Sequence, residues 1–224
     1  SKAGLRNWQQ NNPGGLEAAA ARGTAIHHGC ENYLRGLDPG VPDEYQDFWN
    51  GITKYLDWFD ILHWSERPLR KDWYHLRSED KEVAYVWSTE HLFAGCPDLI
   101  GEIGGVKVIA DFKTSNGPYM NRFPDKGDRM GFGGFRKYQK CAQQMAAYRL
   151  ALAERTGYKC DVALIIVSTP ETSQGIFIDG DQMDLYESRF LKRAAQFQEL
   201  YGDNETETSS SQKLQEQSES TEGS

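Results

Sequence analysis

Apolar residues recur at three- and four-residue intervals from Gly15 to Leu34: Leu16, Ala18 to Ala21, Ile26, Cys30 and Leu34. That spacing predicts a helix, ended by Gly36, Pro39 and Gly40. A second helix is predicted from Pro42 to Leu62, with Tyr45, Phe48, Trp49, Ile52, Tyr55, Leu56 and Phe59 along one face. Beyond it the pattern changes to strands. Trp73 to Arg77 and Val83 to Ser88 are candidates, and Leu92 to Ile103 with Val106 to Thr114 form the clearest pair. Gly104-Gly105 between that pair is a hairpin-turn signal. Residues 115 to 136 are rich in Gly, Asn, Asp and Pro and read as a loop. Tyr138 to Thr156 then predicts a helix closed by Gly157, Cys160 to Ser168 a buried strand, Gly175 to Ile178 a short strand, and Met183 to Tyr201 a last helix. Elements in this order predict an α/β (α+β) fold, a central mixed sheet flanked by helices.

Composition supports one folded domain and a tail. Six Trp and eleven Tyr in 224 residues favour a packed globule. Residues 203 to 224 are mostly Ser, Thr, Glu and Gln, which bury too little surface to offset their ordering entropy. The expected organisation is therefore a domain over 1–202 and a disordered acidic tail over 203–224. No apolar run is long enough to span a bilayer and no apolar signal region opens the chain, so the expectation is a soluble, intracellular (cytoplasmic) protein without a membrane partner.

The net charge of −8 argues at first against a nucleic-acid partner. Six of the acids and one base lie in 203–224, however, and without that segment 24 basic and 27 acidic residues leave a net of −3. Attraction to phosphates would then be local. Cys30, Cys96, Cys141 and Cys160 are widely spaced with no Cys-x-x-Cys pair, which makes a zinc ribbon or a disulfide framework unexpected.

The candidate chemistry begins at the strand Val106 to Thr114. Side chains alternate along a strand, so Val106, Val108, Ala110 and Phe112 share a core face, and Asp111 and Lys113 emerge together on the other with Ile109. Pairing across Gly104-Gly105 brings Asp98, after Gly95-Cys96-Pro97, near Asp111. Two adjacent carboxylates raise each other's pKa unless a cation lies between them. Oxygen donors favour Mg²⁺ or Mn²⁺. Such an ion polarises a phosphoryl oxygen, while Lys113 orients or deprotonates water or neutralises phosphate charge. Standing alone, an Asp-x-Lys reads first as an ion-paired cluster at a sheet edge.

Two further groupings change that balance. His27, in Arg22-Gly23-Thr24-Ala25-Ile26-His27, shares a helix face with Glu31 four residues on. Gln144 and Tyr148 share the face of an Ala-rich helix in the same way. Taken in order, Gly-Thr-x-x-His, Gly-x-x-Asp, Asp-x-Lys-Thr and Gln-x-x-x-Tyr resemble the RecB-like branch of the PD-(D/E)XK nucleases, which includes the mitochondrial genome maintenance exonucleases. The resemblance spans roughly residues 5 to 168. It implies a restriction-endonuclease-like core in which His27, Asp98, Asp111 and the Phe112 carbonyl bind metal and Lys113 is the catalytic lysine. Gln144 and Tyr148 would support substrate and site. Glu31 fits as a partner that orients His27, and Glu90 as an outer carboxylate. The C-terminal cysteine group of the iron–sulfur relatives is lacking, so no iron–sulfur cluster is expected.

Between Asp-x-Lys and Gln-x-x-x-Tyr lie Arg122, Lys126, Arg129, Arg136 and Lys137, interleaved with Tyr119, Phe123, Phe132, Phe135 and Tyr138. Cations bind phosphates and aromatics stack on unpaired bases; equally, the aromatics could cap the core while the charges face water. With Thr114, these cations are the candidate DNA contacts. The function expected is a metal-dependent DNA exonuclease on single strands or free ends, in repair, recombination or phage DNA processing. A helicase or recombination partner would act in trans. The alternatives are a structure-specific or restriction-like endonuclease, or a degenerate nuclease fold that only binds nucleic acid.

Overall fold

The computed structural model describes residues 14–80 and 83–201, and the tail expected at 203–224 lies outside the described residues. Six strands make the main sheet: β1 (Ile61–Ser65), β2 (Arg67–Pro68), β5 (Leu99–Ile103), β6 (Val106–Thr114), β7 (Val162–Ser168) and β8 (Ser173–Ile178). Their order is β2-β1-β5-β6-β7-β8, with β6 and β7 parallel and the other neighbours antiparallel. A small second sheet pairs β3 (Val86–Ser88) with β4 (Phe93–Gly95). Helix α1 (Gly15–Leu34) and the single turns α2 (Gln46–Trp49) and α3 (Thr53–Leu56) cover one face of the main sheet. The other face carries α4 (Arg129–Thr156), the crossover from β6 to β7, and α5 (Gly180–Tyr201). This is the mixed sheet with flanking helices that the element order predicts. Among the described residues no helix is long and apolar enough to cross a membrane.

β6 is apolar on both faces because both are covered. Val108, Ala110 and Phe112 pack with Leu164 and Ile166 under α1, whereas Ile109 packs with Ile165 and Val167 under α4. Val106, expected in the core, is exposed at the hairpin end. Gly104 and Gly105 both have positive φ, 57° and 80°, the backbone a tight two-residue hairpin requires.

Four expected elements differ. The helix expected from Pro42 to Leu62 is a 3-10 turn (Asp43–Tyr45), α2, α3 and then β1. Side chains from distant strands take its carbonyls: the Ser168 hydroxyl donates to Phe48 O, and Ser173 Oγ donates to Gly51 O at 2.5 Å. The apolar spacing still reports burial, since Phe48, Trp49, Ile52, Tyr55 and Leu56 are all core. The strand expected at Trp73 to Arg77 is a 3-10 helix (Lys71–Leu76). Trp73 and Leu76, three apart, are both buried, which suits a three-residue turn.

The strand expected from Leu92 to Ile103 is divided at Cys96-Pro97-Asp98 into β4 and β5. Pro97 has no N–H to give to a ladder, and its carbonyl accepts from Trp64 Nε1 at 2.6 Å. Finally, α4 begins at Arg129, inside the expected loop. The Asp128 carboxylate caps it by accepting from Gly131 N at 2.7 Å. Gly134 permits close packing rather than bending, because a Cβ there would lie 2.6 Å from Pro118 O.

Candidate active site

The break at Cys96-Pro97 leaves Asp98 immediately ahead of β5. Leu99 pairs with Ala110, so Asp98 stands next to Asp111 at neighbouring strand ends. Asp98 Oδ2 accepts the Phe112 N–H at 2.7 Å. Asp111 is buried, and its Oδ2 accepts from Lys113 Nζ and, at 3.0 Å, from Cys141 Sγ. Helix α1 crosses the same strand end. His27 Nε2 donates to the Phe112 carbonyl at 3.0 Å, and its Nδ1 lies 3.7 Å from Asp98 Oδ2.

A further carboxylate joins them. Glu66, in the turn between β1 and β2, has φ 55°, an uncommon value for a residue with a side chain. Its N–H donates to Asp98 O at 2.8 Å and its carbonyl accepts from Cys96 Sγ at 3.3 Å. These contacts hold the turn so that Glu66 Oε1 lies 3.2 Å from His27 Nδ1. His27, Glu66 and Asp98 thus present donor atoms all within 4.8 Å of one another.

Electrostatics follow from burial and crowding. Burial and the neighbouring Asp111 carboxylate push Asp98 above the usual carboxylate range, against the pull of His27 and Lys113. Burial alone would lower His27, but the Glu66 hydrogen bond and the charges of Asp98, Glu66 and Asp111 lift it to about 9. With acceptors at both ring nitrogens, the imidazolium is the favoured form while no ion is bound, and an ion at Nε2 would replace the proton given to the Phe112 carbonyl. Burial likewise opposes the Lys113 ammonium, and Asp111 more than reverses this, so Lys113 is charged at neutral pH.

The donor set suits a hard divalent cation. Carboxylate oxygens of Asp98 and Asp111, the Phe112 carbonyl and one imidazole are groups that Mg²⁺ or Mn²⁺ accepts. The raised Asp98 also marks a surplus of negative charge that such an ion would neutralise.

On α4, Gln144 Nε2 donates to Tyr148 OH at 2.9 Å. The Tyr148 ring lies over Gly95, where any Cβ would overlap it. The phenol is close enough to Asp111, Asp98 and Lys113 to feel their charges.

Two expected site residues belong elsewhere. Glu31 does not orient His27. It pairs with Arg35 at 2.6 Å and Arg67 at 3.2 Å, and Glu66 takes the role expected of it. Glu90 is exposed and groups with His91 and Glu154 instead of the acid cluster. Cys30 is buried on the inner side of α1, Cys141 and Cys160 are buried on the opposite face of the sheet, and Cys96 is half-buried.

No protein-family model matches this chain. No curated protein matches it either.

The candidate DNA contacts are divided. Thr114 ends β6 beside Ser168 and is half-buried. Lys137 Nζ donates to Ser115 Oγ at 2.9 Å, anchoring α4 to the end of β6. Arg122 and Lys126 are exposed in the loop, Arg129 and Arg136 are exposed on α4, and none of the four pairs with a carboxylate among the described residues. Of the interleaved aromatics, Tyr119 and Tyr138 are core, whereas Phe123 is exposed and packs edge-on to Phe132 and Phe135.

Proposed function

We propose that this protein is a divalent-metal-dependent deoxyribonuclease of the RecB-like PD-(D/E)XK kind, acting as an exonuclease on single strands or free ends. What carries the reading is the cluster of His27, Glu66 and Asp98 around the Phe112 carbonyl, beside the Asp111–Lys113 pair at the neighbouring strand end. The motif order from Gly23-Thr24 to Gln144-Tyr148 supports the same assignment.

A cation held by His27, Asp98, Asp111 and the Phe112 carbonyl supplies Lewis-acid polarisation of a phosphoryl oxygen. The protein's own groups do the rest. Asp98 uses one carboxylate oxygen to grip Phe112 N–H, which fixes the backbone of the residue whose carbonyl faces His27. Glu66 sets the orientation of the His27 ring. Lys113, held charged by Asp111, neutralises negative charge that grows on the phosphate during attack. Gln144 and Tyr148 present an amide and a phenol beside the acids for contact with the strand.

Digestion of end-labelled linear and circular single-stranded DNA with Mg²⁺, Mn²⁺ or EDTA tests this. Linear DNA should be degraded with either metal and spared in EDTA, and the circle should resist. Asp111→Ala and Lys113→Ala should abolish cleavage. A cut circle would replace the exonuclease with an endonuclease. Absence of metal-dependent cleavage in every arm would remove the nuclease altogether.

A further inference from the structure

A groove of about 730 Å³ runs between α4, α5 and the β3–β4 hairpin, within the size range of ligand sites. Five of its fifteen lining residues are Phe or Tyr: Phe93, Tyr148, Phe190, Phe197 and Tyr201. Phe197 and Tyr201 are 64% and 57% exposed, with ring centroids 4.8 Å apart. Among the described residues no carboxylate lines the groove, in a chain with 33 acids against 25 bases. Lys140 and Arg193 do line it, and neither pairs with a carboxylate among the described residues. Arg193 Nη1 instead donates to Gln143 Oε1 at 3.3 Å.

Tyr148 links the groove to the neighbourhood of the acid cluster. Gln144 and Tyr148 are part of its wall, and the Tyr148 ring rests on Gly95, three residues before Asp98. The groove is continuous with exposed charge. Arg129, Arg136 and Lys140 fall on one stripe of α4 by helical spacing. From Arg129 to Lys140 that stripe runs about 16 Å.

We propose that this groove binds single-stranded DNA. Unpaired bases stack on Phe197 and Tyr201, while Arg193, Lys140 and the α4 stripe hold phosphates, and the strand passes Tyr148 to reach the acids. Exposed aromatic faces beside unpaired cations match a polyanion whose units are flat rings. A duplex hides those ring faces within its stack. The proposal takes its choice of polymer from the nuclease reading above.

The test is binding without chemistry. Anisotropy of a fluorescein-labelled oligo(dT) is measured with the full chain in EDTA. Phe197→Ala and Tyr201→Ala should each weaken binding by about fivefold to about a hundredfold. Tyr201→Phe should keep affinity, and Arg193→Gln should lower its salt dependence. A blunt duplex of equal length should bind more weakly and respond little to the aromatic variants. Both aromatics are exposed, so matching thermal melts should accompany these changes.

Unchanged oligo(dT) affinity in all the groove variants overturns the proposal. So does a dimer that Phe197→Ala dissociates while oligo(dT) affinity stays constant, since the groove would then be a self-interface. Groove-dependent binding without metal-dependent cleavage would sink the nuclease reading alone. Normal cleavage with groove variants that bind normally would sink the groove alone.

Discussion

Asp98→Asn should make the metal-free protein more stable and the metal-loaded protein inactive. Asparagine keeps an oxygen to accept the Phe112 N–H, which Asp98 Oδ2 takes at 2.7 Å, and removes one of two adjacent buried charges. Asp98 is raised by burial and by Asp111, so its ionised form is disfavoured in the fold. For a group whose folded pKa lies above its unfolded one, stability is full below the unfolded pKa and is lost as pH rises through the folded pKa. The penalty is therefore largest at alkaline pH and fades towards pH 4. Charged neighbours at hydrogen-bonding range displace a carboxyl by about 1–3 units, at about 1.4 kcal/mol per unit. His27 and Lys113 offset part of this, leaving an expected gain of about 1–3 kcal/mol for Asp98→Asn in EDTA at pH 8. For a domain of this size that is about 3–10 °C in Tm. Mn²⁺ at a hundred times its Kd should add about 2.7 kcal/mol to the native protein, and little to the variant. Thermal melting in EDTA and in Mn²⁺, at pH 5 and pH 8, reads all of these. An Asp98→Asn protein that melts below the native chain in EDTA at pH 8 would show a carboxylate held by stabilising pairs, and would refute the crowded-acid argument.

Glu66→Gln should loosen the His27 ring and weaken Mn²⁺ binding about 10- to 100-fold, read by calorimetric titration; an unchanged Kd would remove Glu66 from the site. Gly95→Ala should force its methyl against the Tyr148 ring, costing about 1–3 kcal/mol in a urea melt and slowing cleavage; a neutral variant would mean that Tyr148 moves aside freely. His27 is lifted to about 9, so its imidazolium stabilises the fold below the unfolded pKa of about 6.5 and loses that effect as pH rises through the folded value. In chelator, the urea midpoint should accordingly fall between about pH 7 and about pH 10, and His27→Gln should flatten the fall; an identical decline in the variant would assign it to another group.

The elements legible in the sequence are those whose pattern and packing agree. The α1 span is the helix predicted from its apolar spacing, and β6 is the strand predicted from its alternation. Where the two conflict, tertiary contact decides. The residues from Phe48 to Leu56 carry a helical period, yet Ser168 and Ser173 take the carbonyls a longer helix would use. The glycines of 131–134 look like loop signals, but Gly134 lets the start of α4 lie against Pro118 and Met120, and Gly131 lets it lie against Pro124. Composition cannot separate a glycine that bends a chain from one that lets two segments touch.

The site divides along the same line. Asp98, Asp111 and Lys113 were readable because one hairpin register relates them, and that register is local: Leu99 opposite Ala110 across Gly104-Gly105. Glu66 was not. Its place beside His27 depends on β1 pairing with β5, through an irregularity between Leu62 and Trp64, and on a positive-φ turn pinned to Asp98 O. No spacing within one element encodes those contacts. Glu31 shows the converse. Its four-residue step from His27 gives a shared helix face, but that face also carries Arg35 four residues further on, and β2 brings Arg67. Two permanent cations outcompete an imidazole for one carboxylate. The histidine is left to the acid that has no nearer cation, and that acid comes from another strand. Spacing therefore restricts which side chains share a face, whereas charge balance across elements chooses their partners.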